Sequence, residues 1–430
     1  MIDRSALLRS VYEGALTHLR ARLDEYIPAR LTELLEDIMP GGRVLLVAFG
    51  KASRPMATRA LEALAAAPVE VAGLLVPAND DTAALPPLEV IAGGHPLPTA
   101  GSFDAGRRAL QLVSSAGPMD TVVFLVSGGG SALLESPIDP GATVEEWRRL
   151  QRALIGSGAS IERINAVRMR LSAIKGGRLA AAASRAGAVH TLFVSDVSGG
   201  VETISSGPSA RCGARDDTLR RDLDELDLWH ALPRDLAERA ARGEIPALPA
   251  DSDIPGSYTT IADETDCRCY TAEALRAAGV FVDASMDLDD LPVDAAVDRA
   301  VDRLDALRAG NPRRDVAIVT TGELSVPLPE QPGIGGRNLQ FALRCAEQIA
   351  GRAVTALSCG TDGIDGCAPA AGAIVDGDTA RLAQQAGLDV LDHLRRFDAY
   401  PLLARVGCAI APGPTGMNVR DLRVLLAAGA

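Results

Sequence analysis

The stretch Asp120–Leu134, DTVVFLVSGGGSALL, limits what this chain can fold into more than any other. Its five apolar residues Val122–Val126 form a short, largely β-branched run with no polar alternation, the pattern of a parallel strand buried on both faces. The run breaks into Ser127-Gly128-Gly129-Gly130-Ser131, and Ala132-Leu133-Leu134 can open a helix behind the turn. Adjacent glycines reach positive φ at little steric cost, so successive backbone N–H groups can converge on one anion. A turn of this kind can hold phosphate without a charged side chain. The same residues also suit a tight strand-to-helix turn with no ligand, because the run is neither GxGxxG nor GxxxxGK(S/T).

A chain of 430 residues exceeds what one core usually organises, so two domains are expected. The net charge of −13 argues against a nucleic-acid surface or an anionic membrane surface, and makes cations beside glycines informative. No apolar segment approaches the ~20 residues needed to span a bilayer. The N-terminal MIDRSALLRSVYEGALTHLRARL has helical spacing and no signal-peptide core, so it reads as a docked amphipathic helix of a cytoplasmic protein. Seven scattered cysteines fit reduced thiols, and Cys267-Arg268-Cys269 with no second pair is a poor zinc site.

Taken in order, the chain alternates strand and helix patterns, which predicts α/β architecture with a doubly wound parallel sheet. A first helix, and a second over about 29–38, precede the strand Arg43–Phe49. That strand runs into Gly50-Lys51-Ala52-Ser53 and a helix over 55–66. A lysine between a strand's carboxyl end and a helix N-terminus stands where open α/β sheets bind ligands, although a solvated loop lysine fits too. Strands over 69–76 and 88–92 lead to Gly93-Gly94-His95-Pro96-Leu97-Pro98-Thr99, where His95 is either a ligand contact or a packing residue. Helices over 143–156 and 161–173 follow the central strand.

Arg163, Arg168, Arg170, Lys175 and Arg178 then crowd an otherwise acidic chain. Asn165 and Arg168 can share a helix face, and Lys175-Gly176-Gly177-Arg178 makes a second cation-flanked turn, which favours anion binding over a merely solvated face. The strand over 189–194 delivers Ser195-Asp196-Val197-Ser198-Gly199-Gly200 to the same edge. There Asp196 can hold Mg²⁺, accept a hydroxyl proton or cap the turn.

Residues 243–256 read as a boundary. A second α/β unit is expected from a strand over 258–262, with further strands over 280–285, 315–321 and 353–358 and helices over 270–278 and 293–310. Gly322-Glu323 ends one strand, and Gly335-Gly336-Arg337-Asn338 opens a helix through residue 349, repeating the anion-site design. Gly360-Thr361-Asp362-Gly363-Ile364-Asp365-Gly366 suits a hard cation or a phosphate-side site, or is simply a turn.

Together these segments resemble the glycerate 2-kinase family, which pairs an N-terminal Rossmann-like domain with a smaller C-terminal α/β domain called MOFRL. The resemblance covers about residues 50–426. It is carried by SGGGSALL (127–134), INAVR and LSAIKGGRLA (164–180), SGP (206–208), GGRN (335–338), GTDGIDG (360–366) and GPTG (413–416). It implies a Rossmann-like domain over residues 1–245 and a MOFRL-type domain over 256–430. It further implies phosphorylation of D-glycerate at O2, ATP and Mg²⁺ as co-substrates, and catalytic roles at Lys51 and Arg337. Closing a cleft between the domains would bring these two cations to one phosphoryl group.

Asp196 is the candidate base or metal ligand. Ser127, Gly128, Gly129, Gly130, Ser131, Asn165, Arg168, Lys175 and Asn338 are the candidates for substrate or phosphate binding, and Glu323, Thr361, Asp362 and Asp365 for nucleotide or metal. The partners expected are a small hydroxy acid and ATP, with no nucleic acid and no membrane; a homodimer is left open. The chain departs from the family pattern at Thr99, Gly199-Gly200-Val201, Cys367-Ala368-Pro369 and Arg170, and several departures fall at acidic positions. A kinase acting on another small 2-hydroxy acid is the nearest alternative. A nicotinamide-dependent hydroxypyruvate reductase is disfavoured by the lack of a strand-linked GxGxxG with an acid about 20 residues downstream. A non-catalytic homologue is the third reading.

Overall fold

A computed structural model describes residues 3–36, 38–78, 81–197, 200–213 and 218–429. The chain forms two compact units, Arg22–Ile261 and a discontinuous one made of Met1–Ala21 with Ala262–Ala430. This differs from the expected division. The segment Met1–Ala21 packs with the C-terminal unit, and the strand expected to begin the second unit closes the first sheet instead. Residues 29–36 do not make a separate helix either: one helix runs from Arg4 to Glu36 through Pro28. Buried Leu23 and Ile27 before the proline and Leu31 and Leu34 after it keep the helix packed on both sides of Pro28, so packing offsets the lost hydrogen bond.

The first unit is built on six strands, β1 (Arg43–Phe49), β2 (Glu70–Val76), β3 (Leu88–Val90), β4 (Thr121–Val126), β5 (Ala188–Val194) and β6 (Ser257–Ala262). Their order is β3-β2-β1-β4-β5-β6, and the pairs β1–β2, β2–β3, β1–β4 and β4–β5 are parallel. Every residue of β4 is buried, as an unbroken apolar run requires when both sheet faces are covered. The charged span after Arg211 contributes the helices Leu219–Glu225 and Arg234–Ala241. These pack in a satellite core with Trp147, Leu150 and Val167, so only their buried leucines reveal them as more than a linker.

The second unit holds β7 (Phe281–Asp283), β8 (Val316–Gly322), β9 (Val354–Gly360), β10 (Gly372–Asp376), β11 (Ala409–Ile410) and β12 (Asp421–Ala427), in the order β11-β10-β9-β12-β8-β7. The sheet is mixed, because β12 inserts antiparallel between β8 and β9. After β8, Ser325 makes an isolated bridge to Pro292. The helices Val293–Gly310 and Arg337–Gln348 share the core around Phe341. No helix among the described residues is long and apolar enough to cross a membrane.

Candidate active site

In the first unit the strand order reverses between β1 and β4, the position at which open α/β sheets leave a ligand crevice at their carboxyl ends. Phe49 lies opposite Val126, and Val126 opposite Phe193, so the loops after β1, β4 and β5 leave the sheet side by side. Gly50, at φ +113°, lets the chain turn where a Cβ would strike the Ser127 carbonyl and hydroxyl. Ser127 then ties the two loops together: its N–H donates to the Phe49 carbonyl at 3.1 Å, and its Oγ accepts from Ala52 N–H at 2.9 Å. The Lys51 N–H donates to the Gly128 carbonyl at 2.8 Å.

This stitching sets three chemically active side chains around the glycines. The Asp196 carboxylate lies directly against Gly128, leaving no room for a Cβ. The position of a Cβ on Gly129 has Lys51 Cγ and His95 Nε2 each at 3.4 Å. His95 is carried by a loop that buried Ser102 anchors, its Oγ accepting from the N–H groups of Gly94 (3.0 Å) and Thr99 (3.1 Å). Gly129, at φ +83°, begins the short helix Gly130–Leu133. Lys51, His95, Asp196 and the Gly128–Gly130 turn are thus neighbours. Ser198 and Gly199, in the same loop as Asp196, lie outside the described residues.

A polar chain supports the turn from below. Ser205 Oγ donates to the Ser127 carbonyl at 2.9 Å, and the Ser131 and Ser206 hydroxyls lie 2.8 Å apart. Ser206 Oγ donates to Asn165 Oδ1 at 3.0 Å. Arg168 approaches the same oxygen with Nη1 at 3.5 Å and donates from Nε to Gln151 Oε1 at 2.8 Å. Burial pulls the Arg168 guanidinium below the usual arginine range, with Glu135 pulling it back. Ser205 and Ser206 hold left-handed backbone, φ 55° and 61°. The motif SGP (206–208) signalled this segment in the sequence, but Ser205 and Gln151 carried no signal.

The rest of the cationic cluster is committed to the fold. Lys175, expected to bind phosphate, is fully buried and pairs with buried Glu135 at 2.5 Å. Glu135 also accepts from Trp147 Nε1 (3.1 Å) and Ser172 Oγ (2.7 Å), so a closed network replaces the anion site read there. Burial pulls the Lys175 ammonium down and Glu135 raises it. Arg163 pairs with Asp222 at 2.7 Å, while Arg178 donates to the carbonyls of Ser172 and Pro246. Arg170 donates to the Ile245 carbonyl. Of the five cations, Arg168 alone adjoins the serine chain below the glycine turn.

In the second unit β12 runs antiparallel to β8 and β9, which sets Asp421 opposite both Gly322 and Gly360 at one sheet edge. Arg337, at the start of its helix, reaches this edge and pairs with Glu323 (2.6 Å) and Asp421 (2.9 Å). Arg423, fully buried, also holds Asp421, at 3.0 Å. Burial opposes the charge on Arg337, but Asp421 and Glu323 outweigh it and hold the group above the usual arginine range. Burial pushes the Glu323 carboxyl up while Arg337 pulls it down. Arg420 spans Glu264 and Asp289, and neither it nor Asp421 stood among the candidate site residues read from the sequence.

Four other candidates here make hydrogen bonds within the fold. Asp365 accepts from the N–H groups of Asn338 (3.1 Å) and Leu339 (2.8 Å), satisfying the helix N-terminus that carries Arg337. Asn338 is itself buried, donating to Asp365 and accepting from Ser358 Oγ at 2.7 Å. Thr361 Oγ1 donates to the Arg420 carbonyl (2.7 Å) and accepts from Val419 N–H (2.8 Å), clasping the C-terminal loop. Asp362 Oδ1 accepts from Ile364 N–H at 3.1 Å. Among the described residues no three His, Cys, Asp or Glu side chains group around a metal position.

Comparison with known proteins agrees with this architecture. Residues 8–241 match the domain of unknown function DUF4147, and residues 316–421 match the MOFRL family. The glycerate 2-kinase of Pyrococcus horikoshii is 32% identical over 393 residues, covering 90% of this chain and 87% of the relative. The D-glycerate 2-kinase of Thermotoga maritima is 34% identical over 400 residues, covering 88% and 89%. A protein of Agrobacterium vitis provisionally named a hydroxypyruvate reductase is 35% identical over 393 residues, covering 90% and 99%. The crystal structure of glycerate kinase from Thermotoga maritima has a TM-score of 0.81 at 31% identity, covering 98% of this chain and 100% of that one. Matched along most of its length in both sequence and fold, the chain belongs to the glycerate 2-kinase family.

Proposed function

We propose that the protein is an ATP-dependent kinase that phosphorylates D-glycerate at the 2-hydroxyl to give 2-phosphoglycerate. The observation that carries this reading is the Gly128–Gly130 turn at the strand-order reversal, with Lys51 and Asp196 packed against it. Phosphoryl transfer asks little covalent chemistry of a protein, so catalysis rests on alignment and on fixed charge beside the transferring group. In this reading the backbone of Ser127–Ser131 seats phosphate oxygens, and Lys51 stabilises the charge that develops on them.

Mg²⁺ is commonly held through one or two carboxylates together with nucleotide phosphates, and the Asp196 carboxylate beside the turn suits that arrangement better than an all-protein cage would. Asp196 is the residue that would hold it, and the metal would screen charge between phosphate oxygens. Arg337 is the proposed anion clamp of the second unit. Paired with Glu323 and Asp421, it would take up a phosphoryl or carboxylate group by exchanging one of those partners.

The test is a coupled ADP-release assay of the purified protein with ATP and Mg²⁺ across a panel of 2-hydroxy acids, with the product of D-glycerate identified by mass spectrometry and NMR. Turnover of D-glycerate to the 2-phosphate is expected. Turnover of a different hydroxy acid alone would move the acceptor, and no ADP release with any would sink the kinase reading. Oxidation of a reduced nicotinamide cofactor on addition of hydroxypyruvate would favour a reductase instead.

A further inference from the structure

Beneath the glycine turn, the hydrogen bonds leave two sets of donors and one acceptor open. Arginine is donor-only, so the Asn165 atom that Arg168 Nη1 approaches is the amide oxygen, and the same oxygen accepts the Ser206 hydroxyl proton. The Ser206 proton being committed there, the 2.8 Å contact between Ser131 and Ser206 is filled by the Ser131 proton. Three consequences follow for any molecule beside this chain. Asn165, only 4% exposed, keeps both Nδ2 hydrogens without a partner among the described residues. Arg168, whose Nε is fixed by Gln151, keeps Nη2 without a partner among the described residues and has no carboxylate in ion-pair contact there. Ser131 Oγ is left with lone pairs alone.

A half-buried guanidinium with no counter-ion is unfavourable unless an anion completes it. The carboxylate whose charge acts on Arg168 is Glu135, which is already held by Lys175 at 2.5 Å. Planar donors from Arg168 and Asn165 match the two oxygens of a carboxylate, and the acceptor at Ser131 matches a neighbouring hydroxyl. Backbone N–H groups of the glycine turn, by contrast, suit the rounder phosphate.

Resting on the kinase reading above, we infer that Arg168 and Asn165 form the receptor for the carboxylate of the hydroxy-acid acceptor, separate from the phosphate-binding turn. This receptor makes the enzyme select acids over the corresponding neutral alcohols and amides.

The experiment is calorimetric binding of D-glycerate and of its neutral amide, D-glyceramide, to the full-length wild type and to Arg168→Ala, Arg168→Lys and Asn165→Ala, without nucleotide. Steady-state KM values for D-glycerate and for ATP are measured alongside. Arg168→Ala is expected to bind D-glycerate roughly 10- to 100-fold more weakly, the range for losing a hydrogen bond to a charged group. Arg168→Lys keeps the charge but not the fork, and falls between; the wild type binds D-glyceramide as weakly as Arg168→Ala binds D-glycerate. The KM for ATP stays unchanged. D-glycerate binding unchanged in both Arg168 variants, or a shift confined to the KM for ATP, overturns the inference while leaving the kinase reading intact. Arg168-dependent D-glycerate binding without turnover would sink the kinase reading and leave this one standing. A wild type that neither binds D-glycerate nor releases ADP with any 2-hydroxy acid overturns both.

Discussion

At the scale of single residues, the site separates cations that complete the fold from cations that remain for chemistry. Lys175 and Glu135 are both inaccessible to solvent, so removing one strands the other as a buried, uncompensated charge. Lys175→Met is therefore expected to destabilise the first unit by about 3–5 kcal/mol. Denaturant unfolding reads this directly, and a variant of wild-type stability would reassign Lys175 from the fold to the ligand. Lys51 makes the opposite prediction. Its side chain packs beside Gly129 at the carboxyl end of β1, so Lys51→Ala should unfold like the wild type while kcat falls by roughly 10²–10³-fold, the usual effect of deleting one transition-state charge donor. A kcat within a few-fold of wild type would remove Lys51 from the catalytic machinery.

At the scale of elements, the helix Arg337–Gln348 shows how a candidate site residue becomes a cap. Asp365 lies far along the chain, yet its carboxyl satisfies the first N–H groups of this helix and thereby aims Arg337. Burial raises the Asp365 carboxyl to about 7, against the downward pull of the N–H groups of Leu339 and Asn338. The unfolded chain releases that proton near 3.8, so between the two values the folded state binds more protons than the unfolded state. This contribution to stability is complete below about pH 4 and is lost as the pH rises through about 7. Between pH 5 and 8 the wild type should lose on the order of 2–4 kcal/mol that Asp365→Asn does not lose. Thermal unfolding of both proteins across that range decides it, and parallel curves would refute the assignment. The GTDGIDG motif gave no hint of this role, because the helix it caps begins well upstream, at Arg337.

At the scale of the whole molecule, the discontinuous unit depends on the segment Met1–Ala21. Leu8, Tyr12, Ala15 and Leu19 are buried along one stripe, and the Tyr12 hydroxyl donates to the Gly360 carbonyl at 2.7 Å, where β9 delivers the Thr361–Asp362 loop. Tyr12→Phe leaves that buried carbonyl only the longer bond from Gly363 N–H, at 3.4 Å, and should cost about 1 kcal/mol. The loss should appear as faster hydrogen exchange of the Gly360–Gly366 segment, and unchanged protection there would show the tether to be dispensable.

What the sequence determined by itself was local: apolar runs marked β1, β4, β5, β8 and β9, and glycines after them marked where each strand ends, because strand burial and turn geometry depend on neighbouring residues. Asp196 at the carboxyl end of β5 and Arg337 at its helix start were legible for the same reason. Only the tertiary structure decided that β12 enters between β8 and β9, that Met1–Ala21 joins the C-terminal unit, and that Lys175 and Asp365 serve the fold. Those outcomes rest on partners distant in the chain, chosen by which buried charge or N–H group had to be satisfied once the cores had formed.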